Sequence, residues 1–325
     1  MSTSAFPPAT ARLPSGPRRS PAVALVRGAL AAVAALLAVV LAVASVVLTW
    51  FSVSIVDEDA FVATADGMAA SEEFRGQLAD AAVEDIMASD EVSRYLGDGS
   101  GDAWYSGLLG AARDGAETVL RGAVSSAVES EDFAAVWHET AVETHRENLG
   151  EAPSDVLVLD AGPLYETVDA RIGGLLGVDL GLGDQGRLID LEEPGASGQG
   201  EGAAFLHDAA RLATAVPAFA IGAVVLTLAA AWLMPRHRAL APAGVLAAAG
   251  IAVWAVMSLG AGALTRWADD VGGTGGVVLG RFTEAVTADV PTWALTSLGV
   301  GLGAAVLLII ADVLRGSRRG PAEVF

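Results

Sequence analysis

Four uncharged apolar stretches, Gly28 to Phe51, Leu212 to Met234, Leu240 to Leu264 and Pro291 to Ala311, restrict this chain to architectures that keep long hydrophobic helices out of water. They run 24, 23, 25 and 21 residues. At about 1.5 Å of rise per residue, each can cross a hydrocarbon layer of roughly 30 Å. A cleaved secretory signal has a shorter apolar core of about 7–15 residues. The first stretch is longer and leaves through Thr49, Trp50 and Phe51, an aromatic pair suited to a membrane interface, so it reads as a retained anchor. Between the first and second stretches lie 160 residues, 52–211, that carry most of the charge. The expected fold class is mostly α: a four-span helical membrane protein with a predominantly helical extracytoplasmic domain containing short β segments.

Charge sets the orientation. All 19 basic residues are arginine. Arg12, Arg18, Arg19 and Arg27 precede the first stretch, Arg236 and Arg238 lie between the second and third, and Arg315, Arg318 and Arg319 follow the fourth. An even number of spans places all of these on one side, and the positive-inside rule makes that side the cytoplasm. The expected location is therefore the cell membrane, multi-pass, with both termini cytoplasmic and residues 52–211 extracytoplasmic. That domain holds 33 acidic residues against 8 arginines, a net charge of −25. Such a surface repels nucleic acid and anionic headgroups, which leaves the lipid bilayer around the spans and cationic or basic partners around the domain. The absence of cysteine removes disulfide staples, thiol catalysis and thiolate ligation. A domain of this length can bury a core without them.

The boundaries follow from these changes in composition. Residues 1–22, rich in Pro, Ser and Arg, read as a disordered cytoplasmic tail. The spans are 23–51, 212–234, 240–264 and 291–311, with a cytoplasmic link at 235–239, an extracytoplasmic loop at 265–290 and a cytoplasmic tail at 312–325. Within 52–211, apolar residues at helical spacing predict helices from Ala60, from Ser71, from Ala103, and after Ser130 to near Gly150. Gly97 to Asp102 breaks this pattern. Val156 to Leu159 reads as a short strand, Pro163 to Leu176 as a short helix, and 187–191 as a second strand. Glu192 to Gly202 reads as an acidic loop, and a helix from about Ala203 forms a stalk for the second span, which Pro217 is predicted to kink.

Candidate chemistry is sparse. His138, Glu139, Glu143 and His145 share one helix, but the two histidines stand two turns, or about 10 Å, apart, too far to hold one metal ion. Asp98, Ser100 and Asp102 alternate like the start of a calcium loop, but Ala103 and Leu109 occupy the positions where glycine and glutamate are required. A capped turn fits better. Without lysine there is no phosphate-binding loop of the G-K-S/T kind, and no serine stands in a G-x-S-x-G elbow. Carboxylate pairs such as Asp59 with Asp66, or Glu84 with Glu91, arise by chance in so acidic a domain. No catalytic, cofactor or metal residue is assigned, and no cofactor is expected.

The four apolar stretches themselves lack Asp, Glu, His, Lys and Arg, whereas ion- and proton-coupled transporters keep ionisable groups in the membrane. Gly299 and Gly303 stand four apart in the fourth stretch, as do Gly244 and Ala248 in the third. Small residues at this spacing let helices approach closely, within one chain or in a homo-oligomer. Phe133 and Trp137, four apart on one helix face, are assigned to packing.

Four local segments carry a resemblance. Asp57 to Met68 (DEDAFVATADGM), Ser130 to His145 (SEDFAAVWHETAVETH), Asp155 to Leu164 (DVLVLDAGPL) and Pro235 to Leu240 (PRHRAL) are similar to an uncharacterised group of actinobacterial integral membrane proteins. These have an N-terminal anchor, an extracytoplasmic helical domain and C-terminal spans. In that group's opening segment a proline-rich turn stands where this chain has Gly67 and Met68. The likeness covers most of residues 23–265 and implies topology and a core role for Phe133 and Trp137, not a mechanism. The functional expectation is a noncatalytic cell-envelope protein whose extracytoplasmic domain binds or positions a partner, such as another envelope protein. The alternative is a transporter or channel component with an extracytoplasmic cap.

Overall fold

Asp57 ends the first apolar stretch and starts the next helix. Helix α1, Pro21–Phe51, runs into a π turn, Ser52–Val56, and Asp57 then adopts extended φ −71° and ψ 116° while its carboxylate accepts the Ala60 N–H at 3.0 Å. That acceptor satisfies one of the free donors at the start of α2, Glu58–Ala69. Ser71 repeats the device, its hydroxyl accepting the Phe74 N–H at 3.3 Å at the head of α3, Glu72–Ala88. Three further elements follow: α4, Ala103–Val128, α5, Phe133–Leu149, and strand β1, Val158–Asp160. After them come α6, Gly162–Leu176, strand β2, Leu188–Asp190, and α7, Glu201–Ala213. The chain closes with α8, Val216–Leu233, α9, Leu240–Asp270, α10, Gly273–Thr287, and α11, Val290–Ser317.

This computed structural model describes residues 21–88, 103–176, 188–192, 200–234 and 239–317. The N-terminal tail, the Asp98 to Asp102 turn, the arginines of the 235–239 link and the final residues lie outside them.

Four helices, α1, α8, α9 and α11, are long and apolar enough to cross a membrane. They form a stem in which α1 packs on α8 and α9, and α9 packs on α11. Arg27 lies over the Trp232 ring at 5.9 Å, tying α1 to α8 by a cation–π contact at one end. The remaining elements form a head. Its core joins Phe74, Leu78, Val124, Phe133, Trp137 and Leu159. β1 and β2 pair antiparallel with Leu159 opposite Ile189.

Two expectations are revised. Residues 265–290, read as an extracytoplasmic loop between the third and fourth stretches, are helical over most of their length, although glycine costs a helix about 1 kcal/mol per residue. Tertiary contacts supply what propensity lacks. Asp85 of α3 accepts the Thr274 N–H at 2.7 Å, capping α10, and Arg281 of α10 donates to Gln77 at 3.1 Å and pairs with Glu73. Gly275 lets α10 lie against β2, since a Cβ there would meet Leu191 Cδ2 at 3.0 Å and Ile189 Cγ2 at 3.3 Å. Helix α10 thus belongs to the head, with Val278 in its core. Pro217, expected to kink a continuous span, instead lies in the first turn of α8, where its missing N–H has no partner to lose. Helices α7 and α8 are separate, with Thr214 and Ala215 between them.

Glu192 has no precedent in the sequence reading. Its side chain turns into the start of α7, where Oε1 accepts the Ala203 N–H at 3.0 Å and Oε2 accepts that of Gly200. The residue is 6% exposed. Replacing Glu192 by alanine strands these donors, one of them buried, and is expected to lower stability by about 1–3 kcal/mol. Equilibrium unfolding should show the loss, and glutamine, which keeps one acceptor oxygen for the two N–H groups, should restore only part of it.

Tyr165 of α6 gives the head a pH limit. Its phenol is pushed up to about 12, first because burial withholds water from the anion and second because the Asp85 carboxylate opposes a second negative charge. The folded value lies above the ~10 of an unfolded tyrosine. Neutral Tyr165 therefore contributes its full stabilisation below about pH 10, and that contribution disappears as pH rises through about 12. The shift corresponds to about 2–3 kcal/mol. In an absorbance titration one of the three tyrosines should ionise late, and Tyr165→Phe should remove this part of the alkaline destabilisation.

Candidate cavity between head and stem

One face of α5 sets the chemistry of the site. Trp137, Thr140, Thr144 and Asn148 recur at helical spacing, and all four are buried, at 2%, 0%, 7% and 7% exposure. Buried polar groups are costly unless paired. Asn148 behaves as an extra strand edge for β1: its Nδ2 donates to the Val158 carbonyl at 2.6 Å, and its Oδ1 accepts the Val158 N–H at 3.1 Å. Thr144 Oγ1 accepts the Asp160 N–H at 3.0 Å. Thr140 Oγ1 is buried without a hydrogen-bond partner among the described residues.

Thr140 is among the residues around a cavity of about 460 Å³ at the junction of head and stem. Phe61, Ala65 and Met68 of α2 form one side with Trp137 and Ala141 of α5. Leu159 and Leu191 close it from the strand pair, and Val278, Phe282 and Val286 of α10 lie across from α5. The stem contributes Phe51 and Ile55 from the end of α1 and the π turn, and Leu264 and Trp267 from the end of α9. Phe205 and Glu201 of α7 and Thr283 and Thr287 of α10 also line it, and Phe205 is 72% exposed. Phe61 and Phe282 meet at 4.6 Å between ring centres, joining α2 to α10 beside the cavity.

Comparisons with protein-family models, with curated proteins and with solved structures find nothing that matches this chain. The reading of the cavity therefore rests on its own groups.

The residues singled out by sequence are distributed as follows. His138 and His145 part company: His138 is exposed and contacts the Asp66 carboxylate at 3.1 Å, whereas His145 turns inward. Its Nε2 lies 3.1 Å from the Val56 carbonyl at the end of the π turn and its Nδ1 3.7 Å from Glu58, so Nε2 carries the proton and holds α5 to the exit of α1. Glu143 pairs with Arg146 at 3.1 Å, and Glu139 is solvent-exposed. No group of three His, Asp or Glu comes together as a metal cluster among the described residues. Asp59 and Asp66 are both exposed, while Glu91 lies outside the described residues.

Phe133 and Trp137 lie in the head core at 3% and 2% exposure. Gly299 and Gly303 make no close approach within the chain, since a Cβ on either meets nothing within 4 Å. The same holds for Gly244. The close crossing of α9 and α11 is made instead by Gly250 and Gly301, where a Cβ on Gly301 would come 2.5 Å from the Leu246 carbonyl oxygen.

The sequence reading missed Thr140, Asn148, Asp85 and Glu192. The first two carried a signal: polar residues recurring on the face that also carries Trp137. Asp85 and Glu192 act on backbone remote in sequence, and no local pattern marks them.

Proposed function

We propose that this chain is a noncatalytic, multi-pass cell-envelope membrane protein of the actinobacterial kind it resembles, with both termini in the cytoplasm and the head outside, where the head binds or positions a partner. The observation that carries this reading is the junction cavity. Its lining is largely apolar, and of its polar groups His145, Thr144, Asn148 and Thr287 are engaged with backbone. Such a lining suits binding, because groups already holding the fold together are poorly placed to exchange protons with a substrate. Support for the orientation comes from the arginines flanking the apolar stretches and from the net charge of −25 on residues 52–211.

A transporter or channel component needs a polar route through the stem. Ser45, Thr49 and Thr227 instead donate to carbonyls of their own helices, at 2.8, 2.6 and 2.7 Å.

The cysteine-free sequence makes the topology directly testable. Single cysteines at the exposed positions Glu139 and Arg315 are to be challenged with a membrane-impermeant maleimide on sealed cells. Glu139→Cys should label at once and Arg315→Cys only after permeabilisation; the opposite pattern overturns the orientation. Photocrosslinking from Glu139 should capture a reproducible envelope partner if that partner is a protein.

A further inference from the structure

The geometry points to a lipid site: we propose that the junction cavity receives the hydrocarbon chain of a membrane lipid and that Thr140 meets an oxygen of that lipid. This rests on the membrane orientation given above.

The size and lining of the cavity select the occupant. At about 460 Å³ the space falls within the ~300–1,000 Å³ range of small-molecule sites and well above the ~150 Å³ apolar cavity that stays dry and takes up benzene. Water needs about two to four polar partners to settle in such a space. This lining has little to give, because His145, Thr144 and Asn148 already bond to Val56, Asp160 and Val158. Of the polar residues in the lining, which also include Glu201, Thr283 and Thr287, Thr140 is set apart by its buried, unpaired hydroxyl. Its Oγ1 is fully buried and lacks a partner among the described residues, and the residue belongs to the cavity wall. An unpaired buried hydroxyl costs about 1–3 kcal/mol, and a single ligand oxygen would remove that cost. The matching ligand is long and apolar with one hydrogen-bonding oxygen along the part that reaches α5.

Position selects the source. Phe51, Ile55, Leu264 and Trp267 belong to the head-side ends of α1 and α9, two of the helices long enough to cross a membrane. Phe205, 72% exposed, lies on α7, which ends three residues before α8 begins. Under the proposed orientation these residues stand at the outer surface of the bilayer, so a chain can leave the outer leaflet past Phe205 and Trp267 and reach Trp137 without crossing water. Fatty-acyl and polyisoprenoid lipids share this chemistry. Identifying the bound mass distinguishes them.

Native mass spectrometry of the full-length protein, extracted from its own membranes in mild detergent, is the test. The expected result is one lipid retained per chain, its class read by fragmentation. Ala141→Phe fills the cavity and should abolish retention. Because a core substitution can disturb folding, Phe205→Asp provides a second variant at an exposed position, with thermal unfolding as the check on structure. It should also lose the lipid. Adding oleic acid back to delipidated protein should restore a one-to-one complex, weakened about three- to tenfold by Thr140→Val, the value of one hydrogen bond.

Equal retention by wild type, Ala141→Phe and Phe205→Asp overturns the proposal, as does recovery of detergent adducts only with no oleate complex. Maleimide labelling separates the two readings. Labelling that places the head outside, with no lipid retained, sinks the lipid site alone. Labelling that places it inside, with lipid still retained and lost in Ala141→Phe, sinks the outward orientation and the outer-leaflet source but leaves the binding chemistry of the cavity standing.

Discussion

Truncation of Trp137 to alanine is expected to destabilise the head by about 3–5 kcal/mol, the usual loss for a buried tryptophan. The indole is 2% exposed and its ring packs edge-on to Phe74 at 4.9 Å and stacks near Phe133 at 6.2 Å. Its Nε1–H donates to the Ala65 carbonyl at 2.8 Å, which ties α5 to α2 across 72 positions of sequence. Alanine therefore removes aromatic packing, opens a void continuous with the junction cavity and deprives a buried carbonyl of its donor. Since whole-domain stabilities are about 5–15 kcal/mol, the variant should approach unfolding at growth temperature. Trp137→Phe separates the contributions: it retains much of the packing and loses the hydrogen bond, which is about 0.5–1.5 kcal/mol of the total. Chemical denaturation followed by circular dichroism checks both values. A Trp137→Ala protein as stable as Trp137→Phe would show that the indole does not hold the head together.

Gly301→Leu should separate α9 from α11. Even a Cβ at this position would lie 2.5 Å from the Leu246 carbonyl oxygen and 3.0 Å from the Gly250 Cα. These are backbone atoms of a neighbouring helix, which cannot turn aside as a side chain can. Overpacking usually costs about 1–3 kcal/mol, and a clash with rigid backbone is expected at or above the top of that range. Gly250→Leu should behave alike, since its Cβ would lie 2.9 Å from the Ser297 carbonyl oxygen. Gly299→Leu and Gly303→Leu should leave the α9–α11 packing unchanged, because nothing lies within 4 Å of either added Cβ. Disulfide crosslinking between cysteines introduced into α9 and α11 reads the outcome, and the cysteine-free background makes each crosslink unambiguous. Loss of the crosslink in Gly299→Leu but not in Gly301→Leu would reverse the assignment of the contact surface.

The two glycine pairs show how far a spacing rule reaches. Gly299 and Gly303 satisfy the four-residue interval, yet Gly301, between them, faces α9. Spacing establishes that two residues share a helix face but not which face meets a neighbour. The histidines of α5 carry a related lesson. Seven residues of α-helix advance by nearly two turns, which puts His138 and His145 on related faces in an ideal helix. In the folded chain, α2 and the π turn cover the part of α5 that carries His145, and His138 remains at the surface.

What was legible in the chain depended on neighbours in sequence. Length and hydropathy mark the four helices able to cross a membrane, and period-3.6 apolar residues mark α2, α3, α4 and α5. Short apolar runs bounded by acid or glycine mark the two strands. Each of these patterns reports an energy decided within one or two turns: burial of a helix face, a capped end, a broken repeat. The helical state of α10 depends on Asp85 and Arg281 contacts to α3, about 190 to 210 residues away in sequence. The capping of α7 by Glu192, the Gly250–Gly301 crossing and the cavity itself depend likewise on surfaces that meet only once the chain has folded. A cavity is a property of the space between elements, so its lining from α1, α2, α5, α7, α9 and α10 has no linear signature, and tertiary packing alone set Thr140, whose hydroxyl has no partner among the described residues, in the wall of an apolar space at the head–stem junction.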